Sequence, residues 1–200
     1  MVRRVVVALL APVVWTPPGI DPTRWRTALA EDVVDLLATL NEVETAVAVT
    51  PGDRWLADAV VWPGTAVHEV PEPTVNAVLT ALTGYDQAAV VVADAPDVPG
   101  LTLGKLLRPL SSRPVAVAPA EGSGPGLLGV AARLPVPRWL PALDLDRAAP
   151  ADVRAAAPRP GDVAVTAGWR RLRGPADLAT LDPACEGWET TRALLMGRPG

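Results

Sequence analysis

Two hundred residues, half of them apolar, suffice to bury a full hydrophobic core without disulfides or metals, and one domain spanning residues 1–200 is the expectation. A formal charge of −4 with no block of like charges argues against a nucleic-acid partner, and no uncharged apolar run approaches the roughly 18 residues that cross a bilayer, so no membrane partner is expected. Cys185 stands alone, which rules out an intramolecular disulfide or a cysteine zinc cluster and fits a reducing cytoplasm.

The chain opens on Arg3-Arg4 and the apolar run 5–10. This has the outline of a signal peptide, but Pro12, Trp15, Pro17 and Pro18 stand where a small-residue cleavage site belongs, so the run reads as a buried strand. Asp21 is placed to cap a helix with Pro22 in its first turn, and Trp25, Leu29, Val33, Leu36, Leu37 and Leu40 share one face of it. A second apolar run, 45–49, predicts the next strand. The pattern then predicts a short helix over 51–58, a short strand over 59–62, and a strand-like stretch at 66–70 that holds His68. A helix over 74–83 with Val75, Val78, Leu79 and Leu82 inward ends at Gly84. Strand 88–93, helix 102–110 and strand 115–118 complete another crossover. A glycine-rich loop at 121–126 enters an apolar stretch, 127–132, read as antiparallel. Pro135, Pro137, Pro141, Pro150, Pro158 and Pro160 punctuate the next stretch, leaving a short helix near 152–156, a strand at 163–166, and helices at 175–181 and 189–196. The expected architecture is a three-layer α/β/α sandwich with a mainly parallel sheet.

Ligands of open α/β sheets bind outside the carboxyl ends of the strands, which directs attention to Asp94 and Asp97 after the run 88–93. Two readings are open: the carboxylates hold a hard divalent cation through oxygen, or Asp94 caps the turn and Asp97 is solvated. Lysine occurs only at Lys105, so any grip on a triphosphate falls to arginines, Lys105 or a metal. His68 has no second histidine or cysteine with which to build a metal site. Ser111, Ser112 and Ser123 lack the elbow of a serine hydrolase. The seven tryptophans read as packing anchors, with Trp15 in the first loop the one to test as a ligand contact.

Four stretches carry a family resemblance. Asp94-Ala95-Pro96 after a strand resembles the metal-binding turn of GT-A-type nucleotidyltransferases and nucleotide-sugar transferases. Val75-Asn76-Ala77-Val78-Leu79 is similar to a helix start of the phospholactate guanylyltransferases, Gly122-Ser123-Gly124 leading to Leu127-Leu128-Gly129 is similar to their glycine-rich loop, and Gly174-Pro175-Ala176-Asp177-Leu178 resembles the end of their Asp-x-Asp-Thr-Pro-x-Asp-Leu segment. The resemblance implies a GT-A fold and transfer from a nucleoside triphosphate or nucleotide sugar, with a nucleotide or phosphorylated small molecule as ligand and Mg or Mn as cofactor. It implies Asp94 as metal ligand, with Asp97 nearby, Asn76, Gly122, Ser123 and Gly124 as nucleotide contacts, and Arg171 or Arg173 near phosphate. Two departures stand against it. The first loop, 11–19, contains no cation, and Arg170-Arg171-Leu172-Arg173 replaces the segment that should offer a second aspartate to the metal, which disfavours a divalent ion there. These arginines either stabilise a phosphorylated ligand or form a solvated face. The alternative function is a catalytically degenerate homologue serving as a binding or homo-oligomerisation module.

Overall fold

The computed structural model describes residues 1–122 and 124–197. Its centre is a sheet in which three parallel strands, β1 (Arg4–Leu9), β2 (Glu44–Val49) and β4 (Gln87–Val92), lie side by side with β1 in the middle. Val5 to Ala8 and Ala88 to Val90 are at most 1% exposed, as strands covered on both faces require. Beyond β2 lies the edge strand β3 (Ala66–Glu69). Beyond β4 the antiparallel β6 (Leu127–Arg133) intervenes before β5 (Val115–Glu121) and β7 (Val163–Val165), giving the order β3-β2-β1-β4-β6-β5-β7. A two-residue strand, β8 (Trp169–Arg170), pairs with the far end of β5 at Ala120 and Glu121. The four runs expected in one sheet are all in it, and helices flank it.

The helices follow from local signals. Helix α1 (Pro22–Ala38) starts where Asp21 accepts a hydrogen bond from the N–H of Arg24, and it buries Trp25, Leu29, Val33 and Leu37. Thr74 caps α3 (Val75–Ala81) in the same way through the N–H of Ala77. Helix α4 (Gly100–Leu107) packs Leu103 and Leu106 inward, α5 (Pro150–Ala156) buries Val153, and α6 (Pro175–Leu178) is a single turn. No strand forms at 59–62: residues 59–60 end α2 (Arg54–Val60), in which Leu56, Ala57 and Val60 fall on one helical face and are buried, residues 61–62 are loop, and the neighbouring strand begins only at Ala66. The final helix, α7 (Glu189–Leu195), packs on α1, where the buried Asp32 accepts from the N–H groups of Thr190 and Thr191. None of the helices among the described residues is long and apolar enough to cross a membrane.

Candidate functional site

Strand β1 leads through α1 to β2 on one side, while β4 lies on its other side, so the loops leaving β1 and β4 diverge at their carboxyl ends. This is the switch point at which open α/β sheets bind ligands. A cleft opens there, bordered by Pro12 and Val13 after β1, Asp94 after β4, Asp144 and Asp146 from the connection between β6 and α5, and Arg171. Its enclosed space is about 30 Å³, room for a water or two.

Arg171 dominates the cleft. Its Nε and Nη2 donate to the two carboxylate oxygens of Asp94 at 2.7 and 2.8 Å, and Nη2 also donates to Asp146. Nη1 donates to the carbonyls of Leu145 at 2.9 Å and Leu127 at 3.4 Å. All five N–H donors of the guanidinium are thereby used. The Arg171 and Asp94 side chains are each 5% exposed, a two-pronged ion pair in the interior. Burial by itself would push the Arg171 pKa down, but the charges of Asp94 and Asp146 outweigh it and raise the value above the ordinary one, so the group stays protonated. The backbone fixes the pair, since the N–H of Leu172 donates to the Asp94 carbonyl at 2.8 Å.

The second carboxylate of the turn is matched in the same way. Asp97 accepts from Nε1 of Trp169 at 3.1 Å and from the guanidinium of Arg170, whose carbon stacks 4.8 Å from the Trp169 ring centre. The two carboxylates at 94 and 97 are thus paired with the consecutive arginines 171 and 170. Arg173 turns to the glycine-rich loop, donating to the Pro125 carbonyl at 2.6 Å. Gly126, with φ +130°, has no room for a side chain: a Cβ would lie 2.7 Å from Nη1 of Arg173 and 3.1 Å from the Leu145 carbonyl. Gly122 and Gly124 also hold positive φ angles, as the loop's turns require, and Ser123 lies outside the described residues.

Asn76 stands away from this cleft. Its Oδ1 accepts from the N–H of Leu143 at 3.0 Å and its Nδ2 donates to the Leu140 carbonyl at 3.3 Å, which pins the connection that carries Asp144 and Asp146 into the site. The amide faces backbone partners, and Asn76 reaches the cleft only through them. Trp15 likewise packs inward, edge-on to Trp25 at 6.2 Å, with its carbonyl accepting from the Trp25 indole. The first loop lacks a cation of its own, but Arg26 of α1 reaches under it, donating to the Leu10 carbonyl at 3.2 Å and to Asp53 at 2.7 Å.

Asp144 and Asp146 line the cleft and were not legible as site residues. For Asp146 a signal existed: in Leu143-Asp144-Leu145-Asp146 the leucines are buried and the aspartates point the other way, the alternation of an extended segment laid over the core.

The sequence matches no family model and no curated protein. Among solved structures, a protein of Desulfovibrio desulfuricans described as a nucleotide-diphospho-sugar transferase superposes with a TM-score of 0.67, at 18% identity, over 98% of each chain. The fold is that of the nucleotide-diphospho-sugar transferases. The 4-diphosphocytidyl-2C-methyl-D-erythritol synthase of Anaerococcus prevotii shares the fold at a TM-score of 0.60 and 10% identity over 89% of this chain and 95% of its own. A CMP:2-keto-3-deoxy-manno-octonic acid synthetase complexed with CTP shares it at 0.54 and 13% over 98% and 99%. None of these three is described as a non-catalytic binding module, so the degenerate alternative gains nothing from them.

The transferase fold and its resemblance to GT-A enzymes imply a divalent cation at Asp94, and the donor set here does not fit one. Both oxygens of Asp94 are held by Arg171, Asp97 is held by Arg170 and Trp169, and a guanidinium fixed between Asp94 and Asp146 repels a metal ion. Among the described residues no three histidine, cysteine, aspartate or glutamate side chains are grouped to hold one. Arg171 is equally unsuited to the phosphate role expected of it, because no N–H donor is left over.

Proposed function

We propose that this protein binds a nucleotide or a phosphorylated small molecule at the carboxyl ends of β1 and β4 and acts as a nucleotidyl or glycosyl transferase. The observation that carries the reading is the cleft's position at the switch point of a nucleotide-diphospho-sugar transferase fold, with Asp94 at its base. The CTP held by one neighbour of this fold supports a nucleotide-type ligand.

Charge sets the terms of binding. Three carboxylates, Asp94, Asp144 and Asp146, border the cleft against one guanidinium, Arg171, which leaves a formal balance of −2. A bare triphosphate placed beside them is repelled. The ligand therefore keeps its phosphates toward the outer rim and presents its less charged part to the interior. A cleft of about 30 Å³ admits a nucleotide only when the 11–20 loop or the 141–146 connection swings outward.

Calorimetry with nucleoside triphosphates, nucleotide sugars and sugar phosphates tests the reading. The expected outcome is saturable binding of at least one of them, with Kd in roughly the upper micromolar range. Absence of binding by every compound at millimolar concentration, with the protein folded by circular dichroism, overturns it.

A further inference from the structure

We infer that Arg171 is a permanent internal cation standing in for a divalent metal, so that the site is completed, and its ligand bound, without Mg or Mn. The carboxylates of Asp94 and Asp146 converge on one nitrogen, Nη2 of Arg171, as two ligands converge on a metal ion. Unlike a metal ion, this cation is attached to the chain, its Nε is tied to Asp94 and its Nη1 to the Leu145 and Leu127 carbonyls. A metal ion entering the cleft has to expel a side chain that is 5% exposed and forfeits five hydrogen bonds, while gaining two carboxylates. The second acidic residue of the turn offers no alternative, because Arg170 holds Asp97.

The arrangement has a chemical consequence. A bound metal supplies open coordination positions through which phosphate oxygens are gripped, whereas Arg171 has no free donor to offer. The cation here offsets one of the cleft's three carboxylate charges and fixes Asp94, and the ligand meets backbone and outer-rim groups instead. Arg171 is a positioning residue in this sense. Its presence selects for ligands bound as free anions of low charge over metal-chelated triphosphates.

The part of this inference that concerns ligand binding rests on the proposed function; the part that concerns metal does not, and the experiment separates them. Manganese titrated into the full chain and followed by electron paramagnetic resonance shows no site tighter than about millimolar in the wild type, and thermal unfolding is the same in EDTA, magnesium and manganese. Arg171→Asp, purified with manganese present, melts lower than wild type in EDTA and recovers a large part of that loss on adding manganese. Arg171→Ala, with its two carboxylates released, gains weaker manganese binding. Any compound that binds the wild type does so with the same Kd, within about twofold, in EDTA and in magnesium. A wild-type manganese site of micromolar Kd abolished by Asp94→Asn overturns the inference, as does ligand binding that EDTA weakens tenfold or more. Should Arg171→Asp not fold, the wild-type titration and its Asp94→Asn control decide the matter. Should no compound bind the wild type, the proposed function fails while the manganese result still stands.

Discussion

The centre of the sheet and the two stretches, 140–146 and 169–173, that meet at the Asp94 turn beyond its carboxyl ends are held by different physics. In β1, β2 and β4 every side chain after the first one or two of each strand is apolar and buried, and the attraction is spread over many small contacts without direction. These two stretches bring Leu143, Leu145 and Leu172 to the core, but their location is fixed by Asn76, Asp94, Asp97, Arg170 and Arg171 through bonds of definite geometry. The sheet tolerates exchange of one aliphatic residue for another of like volume, while the two stretches depend on individual atoms. The cleft lies where the two meet, lined by strand ends such as Leu9 and Val92 on one side and by Asp94, Asp144, Asp146 and Arg171 on the other.

The contrast is broken most severely at Asp94. Asp94→Ala leaves Arg171 buried and short of a carboxylate, and the expected cost is about 3–5 kcal/mol in urea unfolding, the range for removing one partner of a buried ion pair. Limited proteolysis then cuts within 140–146 or 169–173 before it cuts the central strands. A uniform loss of protection across both regions contradicts this division of the molecule.

A smaller effect is expected from the sheet itself. Gly129 of β6 sits so close to β4 that an added Cβ lies 2.8 Å from the Val90 carbonyl and 2.9 Å from the Val91 side chain. Gly129→Ala costs about 1–3 kcal/mol by overpacking, and its effect spreads through neighbouring strands, as hydrogen exchange of β4 and β6 amides will show. Unchanged stability means the sheet yields more readily than its packing implies.

The smallest effect is the pH response. The hydrogen bond from Arg26 lowers the Asp53 pKa below its ordinary 3.8, so this pair contributes stability that is complete above about 3.8 and lost as pH falls through the lower folded value. Asp32 has the opposite sign: burial raises its pKa despite the bonds from Thr190 and Thr191, so its share of stability is highest below 3.8 and declines as pH rises through the shifted value. The Arg26 and Asp53 side chains are 15% and 17% exposed, and the pair contributes at most about 1 kcal/mol. Asp53→Asn flattens the acid limb of a thermal melting series by that amount. A steeper limb in the variant reverses the assignment.

How far the molecule was legible follows the same division. The strands near 5–10, 45–49, 88–93 and 115–118 announce themselves because a strand covered on both faces has to be continuously apolar. The edge strand β3, which contains His68 and Glu69, has no such need, and of the neighbouring strand predicted at 59–62, residues 59–60 close a helix because Leu56, Ala57 and Val60 follow a helical spacing, while 61–62 leave it as loop. Asp94 was legible from its place after an apolar run. Its partner was not, since Arg171 lies 77 positions away and no local pattern encodes a pairing across that distance. The arginine cluster was expected either at phosphate or as a solvated face, and for Arg170 and Arg171 it is neither: each is matched to a carboxylate of the turn after β4. Asn76 was legible as a polar residue at a helix start, but its backbone partners in the 140–143 connection were not.

The insertion of β6 between β4 and β5 also dictates an order of events during synthesis. One edge of β4 pairs with β1 at once, but the other waits for residues 127–133, which emerge after α4 and β5 have already been made. Between residue 92 and residue 133 the ribosome adds about 40 residues, a few seconds at roughly 5–20 residues per second. For that interval the nascent chain displays the apolar run Gln87–Val92 with a row of unsatisfied amides and carbonyls along one side. A pause that holds residues 127–133 inside the ribosome after β4 has emerged prolongs that exposure, and one made before β4 emerges does not.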